Sequence, residues 1–155
     1  MVQTLVTAGF VLSVLGILSL CKPWFYFVFN ASNSMSGLVY LVLPGRTPAL
    51  GDVVAFYPPE NSLYHGKRRF LKIVKGIEGD RIDIKDHHVF LNGIKIGWVH
   101  EQANNGLLLR PIESTVIPEG RYFVWTPHDF SYDSRYREIG LISDDALIGT
   151  AHRIL

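Results

Sequence analysis

Residues 1–21 contain no Asp, Glu, Lys or Arg. A helix that crosses a bilayer needs about 20 mainly apolar residues at 1.5 Å rise each. The stretch "LVTAGFVLSVLGILSLC", Leu5–Cys21, together with the four uncharged residues before it, meets that need. The first charge is Lys22, followed by Pro23 and the aromatic cluster Trp24, Phe25, Tyr26 and Phe27. Proline stops a helix, and aromatic rings favour the membrane interface. A cleaved leader would carry a basic start and small residues before the cut, whereas residues 1–4 lack Lys and Arg. A retained transmembrane helix is therefore expected. With only Lys22 beside it, charge bias does not fix the orientation of that helix. The chain divides into an anchor with its interfacial segment, residues 1–29, and one domain over residues 30–155.

The domain reads as a chain of short strands. "ALGDVVAFYPP" is turn, strand and proline stop, and "FLKIVKGIEGD" is a strand running into a glycine turn. Asn92-Gly93, between two apolar runs, signals a hairpin. "RYFVWTP" and "ALIGTAHRIL" supply two more strands, whereas "YHGKRRF" reads as a solvated basic loop. No amphipathic helix follows the anchor, so the fold expected is mainly β, an antiparallel sheet domain. A net charge of +1 gives no electrostatic reason to expect nucleic acid as a partner. Cys21 is the single cysteine, so no intrachain disulfide forms. His87 and His88 are expected on opposite faces of a strand. No zinc-ligand spacing such as HExxH or CxxC occurs, and neither metal nor cofactor is expected.

Small polar residues crowd the exit from the anchor. In "FNASNSMSGLVYLV" three serines, Ser32, Ser34 and Ser36, fall within five positions. They read either as a linker or as a nucleophile held at the bilayer surface. The GxSxG elbow is absent, and no histidine has a flanking signature of a triad base. A lysine can activate a serine instead, provided that it is neutral. A free lysine has a pKa near 10.4, so roughly one in two thousand is neutral near pH 7. Apolar surroundings disfavour the ammonium and lower that value. Lys72 has such neighbours: Phe70, Lys72 and Val74 share one strand face, and Leu71 and Ile73 take the other. The competing reading is an edge lysine whose amine reaches water.

These residues carry a resemblance to the type I signal peptidases. "SNSM" resembles that family's serine motif, and "GDVVAF" the segment after it. "KIVKGIEGD" is similar to the block holding the general-base lysine, and "SYDSRY" to the late Ser-x-Asp-Ser-Arg-Tyr block. They occur in the family's order, behind an N-terminal anchor, over residues 32–136. The resemblance implies that Ser34 is the nucleophile and Lys72 its base. Ser131 would orient the lysine amine, Ser32 would help form the oxyanion hole, and Asp133 and Arg135 would support the site as a charged pair. The implied catalytic domain is mostly β. Gly37 stands where the family usually has proline, and "TPHDF" replaces the usual start of the late block.

Residues 81–118 leave room for only a hairpin or two, in place of the larger extra domain of many bacterial members. That compactness resembles the conjugative-transfer branch. The function expected is a membrane-anchored serine endopeptidase that cleaves signal peptides or pilin-type precursors through an acyl-enzyme. Its partners would be the exported precursor and the lipid bilayer, with the catalytic domain on the extracytoplasmic side of the inner membrane. Two alternatives stay open: the same dyad joining a pilin's ends, or a noncatalytic anchored β domain serving as an assembly subunit. Self-cleavage of the anchor is a third. Ser36 is read as a turn residue, and Asn30-Ala31-Ser32 also spells a glycosylation sequon.

Overall fold

The computed structural model describes Leu12, Ser13, Gly16 and residues 24–30, 32, 34–64, 66, 68–103 and 106–155. Leu12, Ser13 and Gly16 are helical. The rest of the expected anchor, with Cys21, Lys22 and Pro23, lies outside the described residues. Among those described, no helix is long and apolar enough to cross a membrane.

The strands are β1 (Tyr26–Phe29), β2 (Val39–Leu43), β3 (Val53–Phe56), β4 (Phe70–Gly76), β5 (Arg81–Lys85), β6 (His88–Leu91), β7 (Ile94–Trp98), β8 (Thr115–Val116), β9 (Arg121–Trp125), β10 (Ile142–Ser143) and β11 (Leu147–Arg153). A 3₁₀ turn, Asp144–Ala146, precedes β11. Seven strands form one sheet in the order β1-β2-β11-β3-β4-β9-β10, and four form another in the order β7-β6-β5-β8. Every pairing is antiparallel, as the short strands and frequent turns predict.

The Asn92-Gly93 hairpin forms as expected, joining β6 to β7 with φ of 50° and 79°. Two successive positive φ angles match the twist of the flanking strands. The expectation for the histidine pair fails. Asp86 and His87 take φ of 46° and 58° and make the tight turn between β5 and β6. A two-residue hairpin demands this left-handed conformation of both central residues, and Asp and His tolerate it better than branched side chains do. His87 therefore belongs to the turn, and only His88 enters the strand.

Three apolar clusters hold the domain. Val54, Phe56, Val74, Tyr122, Val124, Ile139 and Ile142 form one. Val28, Tyr40, Val42, Ala55, Leu71 and Ala151 form a second. Neighbouring residues of β3 and β4 divide between the two, as alternation along a strand requires. The third fills the small sheet with Ile82, Val89, Leu91 and Ile117, and it includes Phe123 from β9. Phe123 thereby joins the small sheet to the large one, so β9 is held from both sides.

Candidate active site

Lys72 lies mid-strand on β4, opposite Val54 of β3. Directly opposed residues of an antiparallel pair point to the same face, so its stem runs beside the Val54 and Val74 cluster. Only 5% of the residue is exposed, and its Nζ donates to Ser131 Oγ at 2.7 Å. Burial drives the Lys72 amine down from 10.5 to about 8, opposed by the Asp133 carboxylate and assisted by the Arg135 guanidinium. The reading of a lysine that reaches water is therefore corrected: the amine ends on a buried serine.

Ser131 follows β9 in a loop that the sequence builds from its own charges. Arg135 and Asp133 are fully buried. Arg135 Nε donates to Asp133 Oδ1 at 2.8 Å, and Nη2 to Oδ2 at 3.0 Å, a bidentate pair of the kind that fixes geometry as well as charge. The same Nη2 donates to the Ser131 carbonyl at 3.1 Å and the His128 carbonyl at 3.0 Å. Nη1 reaches the Trp98 carbonyl at 3.3 Å. Asp133 also accepts from the backbone N–H groups of Thr126 and Arg135. One ion pair thus clamps the loop that presents Ser131 to Lys72.

Two residues of this half were not singled out from sequence. Ser134 Oγ, buried, accepts from the Val124 N–H at 3.0 Å and ties the loop to β9. Gly97 on β7 leaves the space that Arg135 occupies, since a Cβ there would come within 2.8 Å of Nη1. Nothing in the local sequence marks Gly97, because its neighbour arrives from 38 positions away.

The serines sit in the loop entering β2. Ser32 Oγ and Ser34 Oγ are 2.9 Å apart. Met35 packs on the cluster that contains Leu71, the residue before Lys72. Tyr40 Oη donates to the Ser36 carbonyl. Ser36 Oγ accepts from Arg153 at 3.5 Å, so Ser36 is tied to the last strand. Gly37 has φ of 96°, which proline, locked near −65°, does not adopt. A Cβ there would also fall 2.4 Å from Arg153 Cδ. The departure from the proline pattern thus goes with the packing of Arg153 across this loop. Among the described residues, Ser34 and Lys72 each bond another group rather than each other. The structure brings Lys72, Ser131, Asp133 and Arg135 together as one unit and Ser32 with Ser34 as a second.

The best-defined unit of the site is thus a buried lysine held by a serine on an antiparallel β scaffold. Comparison with known proteins gives the class. The sequence model of the family "Signal peptidase, peptidase S26" matches residues 1–155, and the chain belongs to that family of peptidases. It is similar to "Conjugal transfer protein TraF" of Agrobacterium tumefaciens (strain 15955), 26% identical over 125 residues that cover 70% of each chain. "Signal peptidase I U" of Bacillus subtilis (strain 168) is 28% identical over 107 residues, 64% of this chain and 54% of the relative. A crystal structure of a signal peptidase I from Enterococcus faecalis V583 aligns with a TM-score of 0.45 and 25% identity, over 68% of this chain and 97% of the other.

Proposed function

We propose that the chain is a membrane-anchored serine endopeptidase in which Ser34 is the nucleophile and Lys72 the general base. The observation that carries this reading is the burial of Lys72 with its Nζ on Ser131 Oγ at 2.7 Å, on a chain of the S26 family; that burial brings the amine down to about 8. About a tenth of such an amine is neutral at pH 7, some two hundredfold more than for a free lysine.

In the reaction, Ser34 Oγ bonds to the scissile carbonyl carbon while its proton passes to Lys72 Nζ. The Ser34 hydroxyl turns from Ser32 toward Lys72 as substrate enters, and active-site hydrogen bonds commonly tighten only then. Oxyanion donors each contribute roughly 3 kcal/mol in other proteases; the Ser32 hydroxyl, 2.9 Å from Ser34 Oγ, takes that role on turning away from Asn30 Oδ1. The C–N bond breaks as Lys72 returns its proton to the leaving amine. Water, deprotonated by Lys72, then cleaves the acyl-enzyme.

The substrate is an exported precursor, cut beside the bilayer. An exposed apolar rim supports that placement: Trp24, Phe29, Leu38 and Leu155 are each at least 69% exposed; Phe29 lies on the edge strand β1, Leu38 precedes its neighbour β2, and Leu155 follows β11. The site then faces the extracytoplasmic side of the inner membrane, above the anchor in residues 1–29. Likeness to conjugal transfer proteins favours a pilin-type precursor. The same likeness leaves a second reading, in which the precursor's own amine replaces water and closes the chain into a ring.

The test is processing of candidate precursors followed by mass spectrometry. Ser34→Ala and Lys72→Ala should each abolish cleavage with the fold retained. Lys72→Arg should be equally inactive, because guanidinium does not act as a neutral base. Near-normal processing by Lys72→Arg would sink the dyad. A product lighter by one water than the trimmed linear chain identifies ring closure.

A further inference from the structure

The Asn30 side chain uses its whole hydrogen-bonding capacity on the serine loop. Asn30 Nδ2 donates to the Met35 carbonyl at 2.7 Å and the Gly37 carbonyl at 2.9 Å. Asn30 Oδ1 accepts from the Ser32 N–H and the Ser32 hydroxyl, both at 3.1 Å. The Asn30 backbone N–H donates to the Leu38 carbonyl at 2.9 Å, which closes the loop at its base. Carbonyl oxygens only accept, so the two carbonyls fix which end of the amide is nitrogen. The oxygen therefore faces Ser32.

Proton counting then orients both hydroxyls. Ser32 has a single O–H, and the amide oxygen takes it. The proton in the 2.9 Å contact between Ser32 Oγ and Ser34 Oγ must then come from Ser34. The hydrogen bonds run in one direction, Ser34 to Ser32 to Asn30. Asn30 directly follows β1, which is paired with β2 in the large sheet, so the chain of hydroxyls ends on a fixed support.

We infer that Asn30 is a positioning residue for the peptidase reaction: it braces the loop that carries Ser34 and sets the resting direction of the Ser32 and Ser34 hydroxyls. This rests on Ser34 being the nucleophile. It acts through Ser32 and the loop carbonyls, and itself touches neither substrate nor reacting atoms. It also assigns the amide of the Asn30-Ala31-Ser32 sequon to the loop.

A double-mutant cycle on the full chain in detergent or bilayer tests this, with Ser34→Ala in parallel. Asn30→Ala should lower kcat about tenfold or more while KM changes less than about threefold, the signature of an interaction felt in the chemical step. Residues in one hydrogen-bond network couple. The Asn30→Ala, Ser32→Ala pair should therefore retain at least about threefold more activity than the product of the single losses. Asn30→Asp keeps the acceptor and the shape but sets a carboxylate against two carbonyls, and it should lose kcat similarly. It carries the same cycle if the alanine variant does not fold. Wild-type kcat in Asn30→Asp or Asn30→Ala, or strictly additive losses with Ser32→Ala, overturns the inference. Activity surviving in Ser34→Ala overturns the nucleophile assignment instead, and the role of Asn30 with it.

Discussion

At the residue scale, the chemistry turns on one proton. Burial holds Lys72 at about 8 against 10.5 in the unfolded chain, so the cleavage rate should rise with pH through an apparent pKa near 8 and level off above it. A rate profile without that limb would show that the titrating base lies elsewhere. The same shift sets a stability term of opposite sense to that of a paired lysine. Below pH 8 both states bind the proton, and the folded state bears the full cost of the buried charge. Between about 8 and 10.5 the unfolded state binds more protons, so stability rises with pH, by up to about 3 kcal/mol in all. Urea midpoints for the wild type and Lys72→Met should therefore converge as pH rises; a constant gap would contradict the burial argument. Lys72 was legible in sequence because alternation places it among apolar neighbours. Ser131 became legible only through the family motif, since 59 positions separate the two bonded side chains.

At the element scale, two elements pin β4, which carries Lys72, and the loop of its partner Ser131. Strand β9 pairs with β4, and the loop after it is closed by the Asp133–Arg135 pair. Strand β7, from the small sheet, presses on that pair from the outside through Gly97 and the Trp98 carbonyl. Gly97→Ala forces the guanidinium aside or moves the strand, and overpacking of this kind costs about 1 to 3 kcal/mol. The expected outcome is a lower thermal midpoint together with a loss of cleavage larger than the lost folded fraction, because Ser131 moves with the loop. An unchanged midpoint in calorimetry would show that the small sheet does not brace the site. The Asn92-Gly93 turn was readable because its residue types demand one backbone conformation. The Asp86-His87 turn was not, since neither residue is obliged to leave a strand. The need for a two-residue reversal between β5 and β6 put them there.

At the scale of the whole molecule, the membrane-facing rim proposed above is that of the exposed side chains of Trp24, Phe29, Leu38 and Leu155. Aromatic side chains at such a rim are suited to the lipid interface. With Trp98 and Trp125 replaced by Phe, the full chain reconstituted into vesicles with brominated acyl chains should show strong quenching of Trp24 fluorescence. Emission unaffected by bromination would place the rim away from lipid.

The sequence by itself determined the class of fold and the chemistry available to it. Period-two alternation, turn residues and four ordered motifs are local properties, and each is written in a few consecutive residues. The tertiary structure decided which distant groups meet. The last strand, β11, lies between β2 and β3, so Arg153 crosses the serine loop and sets a glycine at position 37. Asn30, half a sequon in the sequence, becomes the support of two hydroxyls because β1 turns back beside β2. Burial, which no single residue possesses alone, brings the Lys72 amine within reach of neutrality.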